Sequence, residues 1–233
     1  MSDLHGSTPI TSVIIPAFNE ETSIGLVLDN LPQETLKEII VVNNGSTDKT
    51  ACVARKHGAR VVDEPLRGYG AACLKGISEL DEPEIVVFID GDFSDFPEEI
   101  ENLVKPIVEN RADFVLGSRM IFPESRAALL PQARYGNILA VFLVKLFFRY
   151  QFTDLGPFRA IRYQSLKEIS MTDKNFGWTI EMQIKAVKHG LRIMEIPVHY
   201  RKRIGVSKIT GTLSGTFKAG TKIIFTIFKY LLT

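Results

Sequence analysis

The chain has 233 residues, of which 45% are hydrophobic and 24% charged, and its formal net charge at pH 7 is +1. These values are ordinary for a folded globular protein of one domain, and they exclude disordered, collagen-like and disulfide-stapled chains. Two cysteines are too few for a disulfide framework, and with four histidines they make no Cys/His metal cluster, so a reducing compartment is favoured.

Charge is distributed unevenly along the chain. From residue 182 onward there are ten lysines and arginines but a single acidic residue, Glu195. Such a basic segment favours a polyanionic partner, for example phosphates or an anionic membrane, and a solvated basic face is the plain alternative. The polar residues 1–11 predict no secretion signal, and no run reaches the roughly 18 uncharged apolar residues expected of a membrane span.

Short apolar runs alternate with helical patterns in the first half of the chain. The run IVVFI at 85–89 is apolar throughout, which is typical of a strand buried on both faces of a parallel sheet. The alternation indicates an α/β domain with a mainly parallel sheet covered by helices, whose ligands bind beyond the carboxyl ends of the strands. The predicted elements of this half are strands 12–15, 38–42, 60–62, 85–89 and 113–116 and helices 20–31, 47–57, 69–80 and 97–110.

The second half has a different pattern. Residues 135–150 predict a helix that is apolar nearly all round, as in a buried or membrane-facing helix. The final helix, 217–232, is amphipathic, with Lys218, Lys222 and Lys229 on one face and Phe, Ile and Leu residues on the other. The remaining predicted elements are loop 121–133, strand 155–162, helix 178–189, strand 191–198 and loop 200–216.

Polar residues follow the first two predicted strands. The first strand ends in PAFNE at 16–20, where the proline stops the strand and Asn19 can cap the next helix. The second runs into NNGSTD at 43–48, which brings hydroxyls and a carboxylate to a helix start whose free N–H groups can bind a ligand. A capped turn without a ligand is the alternative at both places.

The third strand leads into RGYGAA at 67–72, which contains a possible dinucleotide-binding motif. Gly68 and Gly70 open a helix, and Asp90 lies 20 residues beyond Gly70. The third small residue of that motif is replaced by Cys73, and a second acid follows Asp90. A nicotinamide-dependent dehydrogenase is therefore a distant alternative.

The fourth strand ends in Asp90-Gly91-Asp92. Two carboxylates separated by a glycine can turn toward one hard cation, and Mg²⁺ or Mn²⁺ held in this way commonly binds a diphosphate as well. A plain turn is the alternative for such a tripeptide.

Together these motifs resemble the family 2 inverting glycosyltransferases, in particular polyprenyl-phosphate sugar synthases such as dolichyl-phosphate mannose synthase. The resemblance implies a single nucleotide-sugar-binding domain of the glycosyltransferase A type at 1–200, then a basic loop and C-terminal amphipathic helix at 201–233. The matching segments are VIIPAFNE at 13–20, NNGSTD at 43–48, GYGA at 68–71, FIDGD at 88–92, GSR at 117–119, DLGPFR at 154–159, FGWTIEMQ at 176–183 and EIPVHYRKRIGVSK at 195–208.

The resemblance also implies roles for individual residues. Asp90 and Asp92 hold a metal, with Ser94 as a further ligand, and Arg119 and Arg134 match the basic positions that hold an acceptor phosphate. The nucleotide-binding set is Pro16, Ala17, Asn19, Glu20, Asn43, Asn44, Asp48, Arg67, Gly70, Asp90, Gly91, Arg203 and Lys208, the last two closing over the donor diphosphate.

Three positions depart from the pattern of the family. Asn43 and Asn44 stand where two aspartates are frequent, which leaves UDP and GDP open as the donor nucleotide. Ser94 stands where close relatives often offer a glutamine to the metal.

The implied reaction moves a sugar from a nucleoside diphosphate with inversion, and Asp92 with its metal offsets the charge that develops on the leaving diphosphate. A polyprenyl phosphate acceptor is already anionic and needs no strong base. A hydroxyl of a glycolipid or polysaccharide needs a carboxylate to take its proton. Glu181 is the first candidate for this base and Asp154 the second, and a structural role in an ion pair is equally open for both.

The basic C-terminal part and the two apolar-faced helices predict a peripheral protein on the cytoplasmic face of an anionic membrane. Burial of these helices in a homodimer or against the sheet is the alternative. An inactive nucleotide-sugar-binding protein is a further alternative, although both metal carboxylates are retained. No nucleic-acid partner is expected, because the sequence lacks a stripe of interleaved aromatic and basic residues.

Overall fold

The computed structural model of the chain describes residues 9–205 and 213–232, which form one seven-stranded sheet with helices on both faces. The strands are β1 (Thr11–Ala17), β2 (Glu38–Asn43), β3 (Arg60–Asp63), β4 (Ile85–Phe88), β5 (Phe114–Ser118), β6 (Arg159–Arg162) and β7 (Ile193–Pro197). The helices are α1 (Ile24–Asn30), α2 (Thr50–Lys56), α3 (Tyr69–Ser78), α4 (Ile100–Val108), α5 (Pro123–Ala128), α6 (Pro131–Phe148), α7 (Tyr163–Ile169), α8 (Trp178–Lys188) and α9 (Leu213–Leu232).

The sheet has the order β3-β2-β1-β4-β6-β5-β7. β6 runs antiparallel between β4 and β5, and every other neighbouring pair is parallel. The predicted fold class, a mainly parallel α/β sheet covered by helices, is confirmed.

Side chains alternate across the sheet and form a core layer on each face. In β1, Val13 and Ile15 point into the layer beneath α1 and α4, whereas Ile14 points into the layer beneath α3, α6, α8 and α9. Trp178 of α8 packs edge-on against Phe88 of β4 in that second layer, with ring centroids 5.8 Å apart. The burial of apolar side chains on both faces explains the fully apolar β4.

Two stretches of the second half differ from the sequence prediction. The predicted loop 121–133 is wrong, because it contains α5 and the start of α6; Pro123 and Pro131 occupy first helical turns, where a missing N–H is no loss. The predicted strand 155–162 pairs only from Arg159, since Pro157 has no N–H for a ladder, and the chain turns into α7 immediately afterwards.

α9 packs against α6 and α8 and places Ile227 in the core. The predicted boundary at residue 200 stays a prediction. No helix in the described ranges is both long and apolar enough to cross a membrane.

Candidate active site

The carboxyl ends of the parallel strands meet at one edge of the sheet. Ala17 at the end of β1 pairs with Asn43 of β2, and Asn43 pairs with Asp63 of β3. Ser118 at the end of β5 pairs with Pro197 at the end of β7. The polar residues that follow these strands therefore come together although they are far apart in sequence.

Asp90, which follows β4, is placed unusually for a carboxylate. Its Oδ1 atom is buried and has no hydrogen-bond partner among the described residues. Burial and, second, the charge of Asp92 raise the pKa of Asp90 to about 7, although Arg119 and Arg203 lower it. A buried carboxylate oxygen without a donor is an acceptor that a bound cation would satisfy.

Asp92 is held by its neighbours on both sides. Its Oδ1 accepts hydrogen bonds from the Ser94 amide at 3.0 Å and the Ser94 hydroxyl at 2.5 Å. Its Oδ2 lies 3.2 Å from Nη1 of Arg203. The fully buried Ser94 hydroxyl thus orients Asp92, and the metal-ligand role of Ser94 stays a prediction.

Arg203 connects two strand ends. Its Nη2 donates to Oε1 of the buried Glu20 at 2.7 Å, while Nη1 faces Asp92. The Ile204 amide donates to the Asp92 carbonyl at 3.0 Å, and the Arg201 guanidinium lies 3.6 Å from the centre of the Phe93 ring. Residues 201–204 are therefore tied to the loop that carries the two carboxylates. Lys208, predicted to act with Arg203, lies outside the described residues.

A small cavity of about 280 Å³ lies at the ends of β1, β2 and β4. Its walls include most of the predicted nucleotide-binding set. Those lining residues are Pro16, Ala17, Glu20, Asn44, Arg67, Asp90, Gly91 and Arg203, together with Phe18, Gly68, Tyr69, Ala72, Asp92 and Phe176.

Arg67 and Asn44 shape this small cavity through different contacts. The Arg67 guanidinium stacks 3.7 Å from the centre of the Phe18 ring, which forms one wall. The Asn44 side chain donates to the carbonyls of Glu64 and Leu66 and accepts from the Gly68 amide, so it fixes the loop after β3. The Asn44 side chain therefore forms its hydrogen bonds with backbone groups of this loop.

Three residues predicted to bind the nucleotide do not belong to the small cavity's described walls. Asn19 accepts from the Thr47 amide at 2.8 Å, and Asn43 donates to Asp63 at 2.7 Å. Asp48 accepts from the Thr50 amide at 2.9 Å. Burial would raise the pKa of Asp48, but hydrogen bonds from Thr50 and the Glu21 amide lower it. These side chains hold the strand-end loops to one another.

Gly70 is also absent from the described walls of the small cavity. The structure shows a different reason for glycines at positions 68 and 70, namely a close approach to another part of the backbone. A Cβ at Gly70 would overlap the carbonyl of Asp173, and one at Gly68 would overlap the carbonyl of Lys174. Gly68 also has a φ of +151°, which disfavours other residues. The two glycines let the first turn of α3 touch the backbone of residues 173–174.

A large cavity of about 690 Å³ adjoins the small one, and its walls are mainly apolar. The two cavities share Tyr69, Asp90, Asp92, Phe176 and Arg203, so they meet at the pair of carboxylates. Apolar walls come from the loop before α6, from α6 and from α9. Those wall residues are Leu129, Leu130, Ala133, Leu139, Ala140, Ala219, Ile223 and Ile224.

Arg119 and Asp154 form a two-pronged ion pair beside the large cavity. Nε and Nη2 of Arg119 donate to Oδ2 and Oδ1 of Asp154 at 2.7 and 2.9 Å. Burial would lower the pKa of Arg119, but the charge of Asp154 raises it above its usual value. Asp154 is fully buried, so both of its oxygens are committed and the proposed second base is held as an ion-pair partner.

Glu181, the first candidate for a base, lies outside the described walls of both cavities. It is fully buried and accepts from the Thr172 hydroxyl and the Tyr230 hydroxyl, each at 2.6 Å, and from the Asp173 amide at 2.7 Å. Lys185 adds an ion pair at 3.0 Å. Both oxygens of Glu181 thus accept hydrogen bonds inside the protein, and its role as a base stays a prediction.

Arg134 is not brought to the described site either. Its side chain is exposed on α6, whereas its neighbours Gln132 and Ala133 line the large cavity. Tyr69, Phe176, Tyr200 and Lys202 line one or both cavities and were not singled out from the sequence. All four fall inside the matching segments, so their position in those segments was the signal available.

The residues present fit a divalent cation of the Mg²⁺ or Mn²⁺ kind. Such ions accept one or two carboxylates from the protein and complete their shell with phosphate and water. Asp90 and Asp92 offer these carboxylates, and the orphaned Oδ1 of Asp90 lacks a donor among the described residues. Within the same ranges there is no group of three or more His, Cys, Asp or Glu residues that could hold a metal without such help.

A search against known families matches residues 12–170 to the family described as glycosyl transferase family 2. The chain belongs to glycosyl transferase family 2. This family 2 protein is accordingly a glycosyltransferase, as predicted.

Two named relatives cover most of its length. A dolichyl-phosphate hexose transferase of Haloferax volcanii is 33% identical over 205 residues, which is 85% of this chain and 86% of the relative. A UDP-N-acetylglucosamine–dolichyl-phosphate N-acetylglucosaminyltransferase of Methanococcus voltae is 28% identical over 80% of this chain and 83% of the relative.

Solved structures show the same fold for this family 2 protein. The glucosyl-3-phosphoglycerate synthase of Mycobacterium tuberculosis, in complex with Mn²⁺, uridine-diphosphate-glucose and phosphoglyceric acid, superposes with a TM-score of 0.77 at 23% identity. The match covers 96% of this chain and 80% of that chain. The predicted glycosyltransferase A type of fold is thereby confirmed.

Proposed function

We propose that this family 2 protein transfers a sugar, with inversion, from a nucleoside diphosphate to a polyprenyl phosphate at a membrane surface. The observation that carries the proposal is that a small and a large cavity meet at Asp90 and Asp92. A nucleoside diphosphate beside the strand ends and a lipid phosphate along α6 and α9 match these two spaces.

The small cavity suits the donor. Arg67 and Phe18 form a stacked wall at the end of β1, and Glu20 and Arg203 lie at the inner side. Asp90 and Asp92 would hold Mg²⁺ or Mn²⁺, which supplies charge neutralisation on the leaving diphosphate when bound. UDP is the favoured nucleotide because the solved structure named above holds UDP-glucose with Mn²⁺, and because the relative from Methanococcus voltae is named for a UDP-linked donor.

The large cavity suits a lipid acceptor. Its walls are mainly aliphatic, Arg119 and Lys202 also line it, and Arg203 lies where it meets the small cavity. Cationic side chains beside an apolar channel can hold a phosphate at the site while the hydrocarbon chain occupies the channel. The names of both relatives refer to dolichyl phosphate, which agrees with such an acceptor.

A phosphate acceptor explains why the site lacks a conspicuous base. A phosphate oxygen is anionic at neutral pH and attacks the anomeric carbon without losing a proton, so positioning and charge stabilisation carry the reaction. Asp154 is paired with Arg119, and Glu181 is enclosed by donors. The Arg119–Asp154 pair holds the guanidinium at the cavity wall.

An exposed apolar face on α6 and α9 supports the proposed membrane location, and the cytoplasmic face is part of the same proposal. Phe142 and Phe225 are 58% and 61% exposed, and Phe147 of α6 packs on Phe228 of α9. Leu139 is exposed and also lines the large cavity, so the cavity opens toward this face. Exposed basic residues on the same helices complement anionic lipids. These basic residues are Arg134, Lys145, Arg149, Lys218 and Lys229.

The decisive experiment is a radiolabelled transfer assay with UDP- and GDP-sugars, Mg²⁺ or Mn²⁺, and a short polyprenyl phosphate. We expect metal-dependent label in the organic phase, and a loss of at least about 100-fold in Asp92→Asn because the charge next to the leaving group is removed. Asp81→Asn, at an exposed surface ion pair, is the matched control and should keep full activity. Donor hydrolysis without labelled lipid would move the acceptor to a hydroxyl.

Membrane binding is tested by sedimentation with vesicles that contain anionic phospholipid. Phe142→Ser with Phe225→Ser should reduce the bound fraction severalfold, since two large apolar side chains leave the interface. Val108→Ser, at an exposed apolar position on α4, is the control. Equal vesicle binding of the double variant and of Val108→Ser would contradict a membrane role for this face. A concentration-dependent dimer in the unmodified protein would assign the face to a homodimer.

A further inference from the structure

Two polar contacts fasten α9 to α8 and to the segment that precedes it. Nζ of Lys222 lies 2.8 Å from Oδ2 of Asp173, and the Tyr230 hydroxyl donates to Oε1 of Glu181 at 2.6 Å. Lys222 and Tyr230 are eight residues apart on α9, so they hold the helix at two points.

Both contacts end on groups that shape residues 172–177. Oδ1 of Asp173 accepts from the amides of Asn175 at 2.7 Å and Gly177 at 3.1 Å, which closes the turn. Glu181 accepts from the Thr172 amide and hydroxyl and from the Asp173 amide. Burial would raise the pKa of Glu181, but these hydrogen bonds and those from Tyr230 and Lys185 lower it, so the carboxylate is the form held here.

The same segment supports the first turn of α3. The Ala71 amide donates to the Lys174 carbonyl at 2.9 Å, and Gly68 and Gly70 approach the segment so closely that a Cβ at either position would overlap it. Gly68 and Tyr69 line the small cavity. A shift of residues 172–177 would therefore be felt directly at the wall of that cavity.

Residues 172–177 and α9 also reach the large cavity. Phe176 lines both cavities at their junction, and Ile223, one residue after Lys222, lines the large one. The helix that forms an acceptor wall is thus joined, through Asp173 and Glu181, to the turn that carries Phe176 and braces α3.

We propose that Lys222 and Tyr230 are positioning residues for the donor cavity, coupling the seating of α9 to the first turn of α3 through residues 172–177. The coupling rests on the proposed function in so far as the small cavity binds the donor. Neither residue touches the donor; each acts through the turn. Seating of α9 by an acceptor or a lipid surface would then strengthen donor binding, and by linkage the donor would strengthen seating of α9.

The test uses the full-length protein with Lys222→Met and Tyr230→Phe, separately and together. Hydrogen exchange is measured for peptides covering residues 68–72, and binding of UDP with Mn²⁺ is measured by calorimetry, with GDP tried in parallel. Loss of a charge-assisted hydrogen bond should speed exchange at 68–72 and weaken nucleotide binding roughly tenfold in the double variant. Lys222→Arg keeps the ion pair with Asp173, so its hydrogen exchange at 68–72 and its nucleotide binding should match those of the unmodified protein.

Lys218→Met is the matched control, since it removes a charge from the exposed side of the same helix. Unchanged exchange at 68–72 in the double variant, with faster exchange confined to α9, would overturn the coupling. If neither UDP nor GDP binds the unmodified protein, the proposed function fails. The exchange measurement still decides the coupling in that case, because it needs no ligand.

Discussion

The Arg203 guanidinium lies 3.2 Å from Oδ2 of Asp92 and occupies one side of a carboxylate that we assign to the metal. Arg203 also donates to Glu20, so it spans the strand ends on both sides of the small cavity. A fixed cation at this place offsets the charge of the acidic pair and competes with any second cation that approaches Asp92.

Arg203→Gln should therefore strengthen Mn²⁺ binding in the absence of nucleotide. The ion pair is partly exposed, so its contribution is about 1 kcal/mol, or roughly fivefold in affinity. Electron paramagnetic resonance of free Mn²⁺ measures this directly. Lys105→Gln, which removes an exposed charge on α4 outside the described walls of both cavities, is the control, and unchanged or weaker Mn²⁺ binding in Arg203→Gln would contradict the competition.

Arg119→Met should destabilise the protein strongly. Asp154 is fully buried and would lose its cationic partner, and breaking such a pair lowers the free energy of unfolding by about 3–5 kcal/mol. Arg134→Met, at an exposed position on α6, should stay within about 0.5 kcal/mol. Urea unfolding followed by circular dichroism compares the two, and equal stabilities would show that the Arg119–Asp154 pair contributes little.

Gly70→Ala and Gly136→Ala should act in opposite directions. An alanine Cβ at Gly70 overlaps the Asp173 carbonyl, and overpacking of this kind lowers the free energy of unfolding by about 1–3 kcal/mol. At Gly136 in α6 the described residues leave the space around a Cβ open, so the better helix former should add about 0.5–1 kcal/mol. Denaturation midpoints measure both changes. A neutral Gly70→Ala would mean that α3 and residues 173–174 separate easily.

His199 should give stability a dependence on pH. Its hydrogen bond to Glu99, at 2.5 Å, raises the pKa of His199, and the charges of Glu99, Glu124 and Glu98 add to the effect. Because the folded protein favours charged His199, this contribution is fully present below about pH 6.5 and is lost as pH rises through the raised pKa. The difference between the thermal midpoints of the protein and of His199→Gln should narrow as pH rises through the raised pKa. Nuclear magnetic resonance titration gives the pKa itself, and a His199 pKa at or below 6.5 would refute the shift.

The elements that sequence predicted well share a simple cause. β1, β2 and β4 are apolar on both faces because helices cover both sides of the sheet, and such runs are visible without knowledge of the fold. α5 and the early start of α6 escaped prediction because Pro123 and Pro131 read as loop residues unless the first helical turn is known.

The candidate site divides in a similar way. Asp90, Asp92 and Arg203 were singled out, and they come together because strand ends of a parallel sheet share one edge. Tyr69 and Phe176 lie inside matching segments but were not singled out, and the walls from α6 and α9 arise from contacts between distant parts of the chain that no local pattern predicts.

The sequence by itself determined the fold class, the family and the edge of the sheet at which chemistry would be found, because periodicity and ordered motifs are local properties. Only the tertiary structure decided which groups Gly70, Asp154 and Glu181 contact. A glycine can serve a ligand or a backbone contact, and a carboxylate can be a base or an ion-pair partner. The choice depends on which groups are buried against it, and here those groups are the Asp173 carbonyl, the Arg119 guanidinium and the Tyr230 hydroxyl.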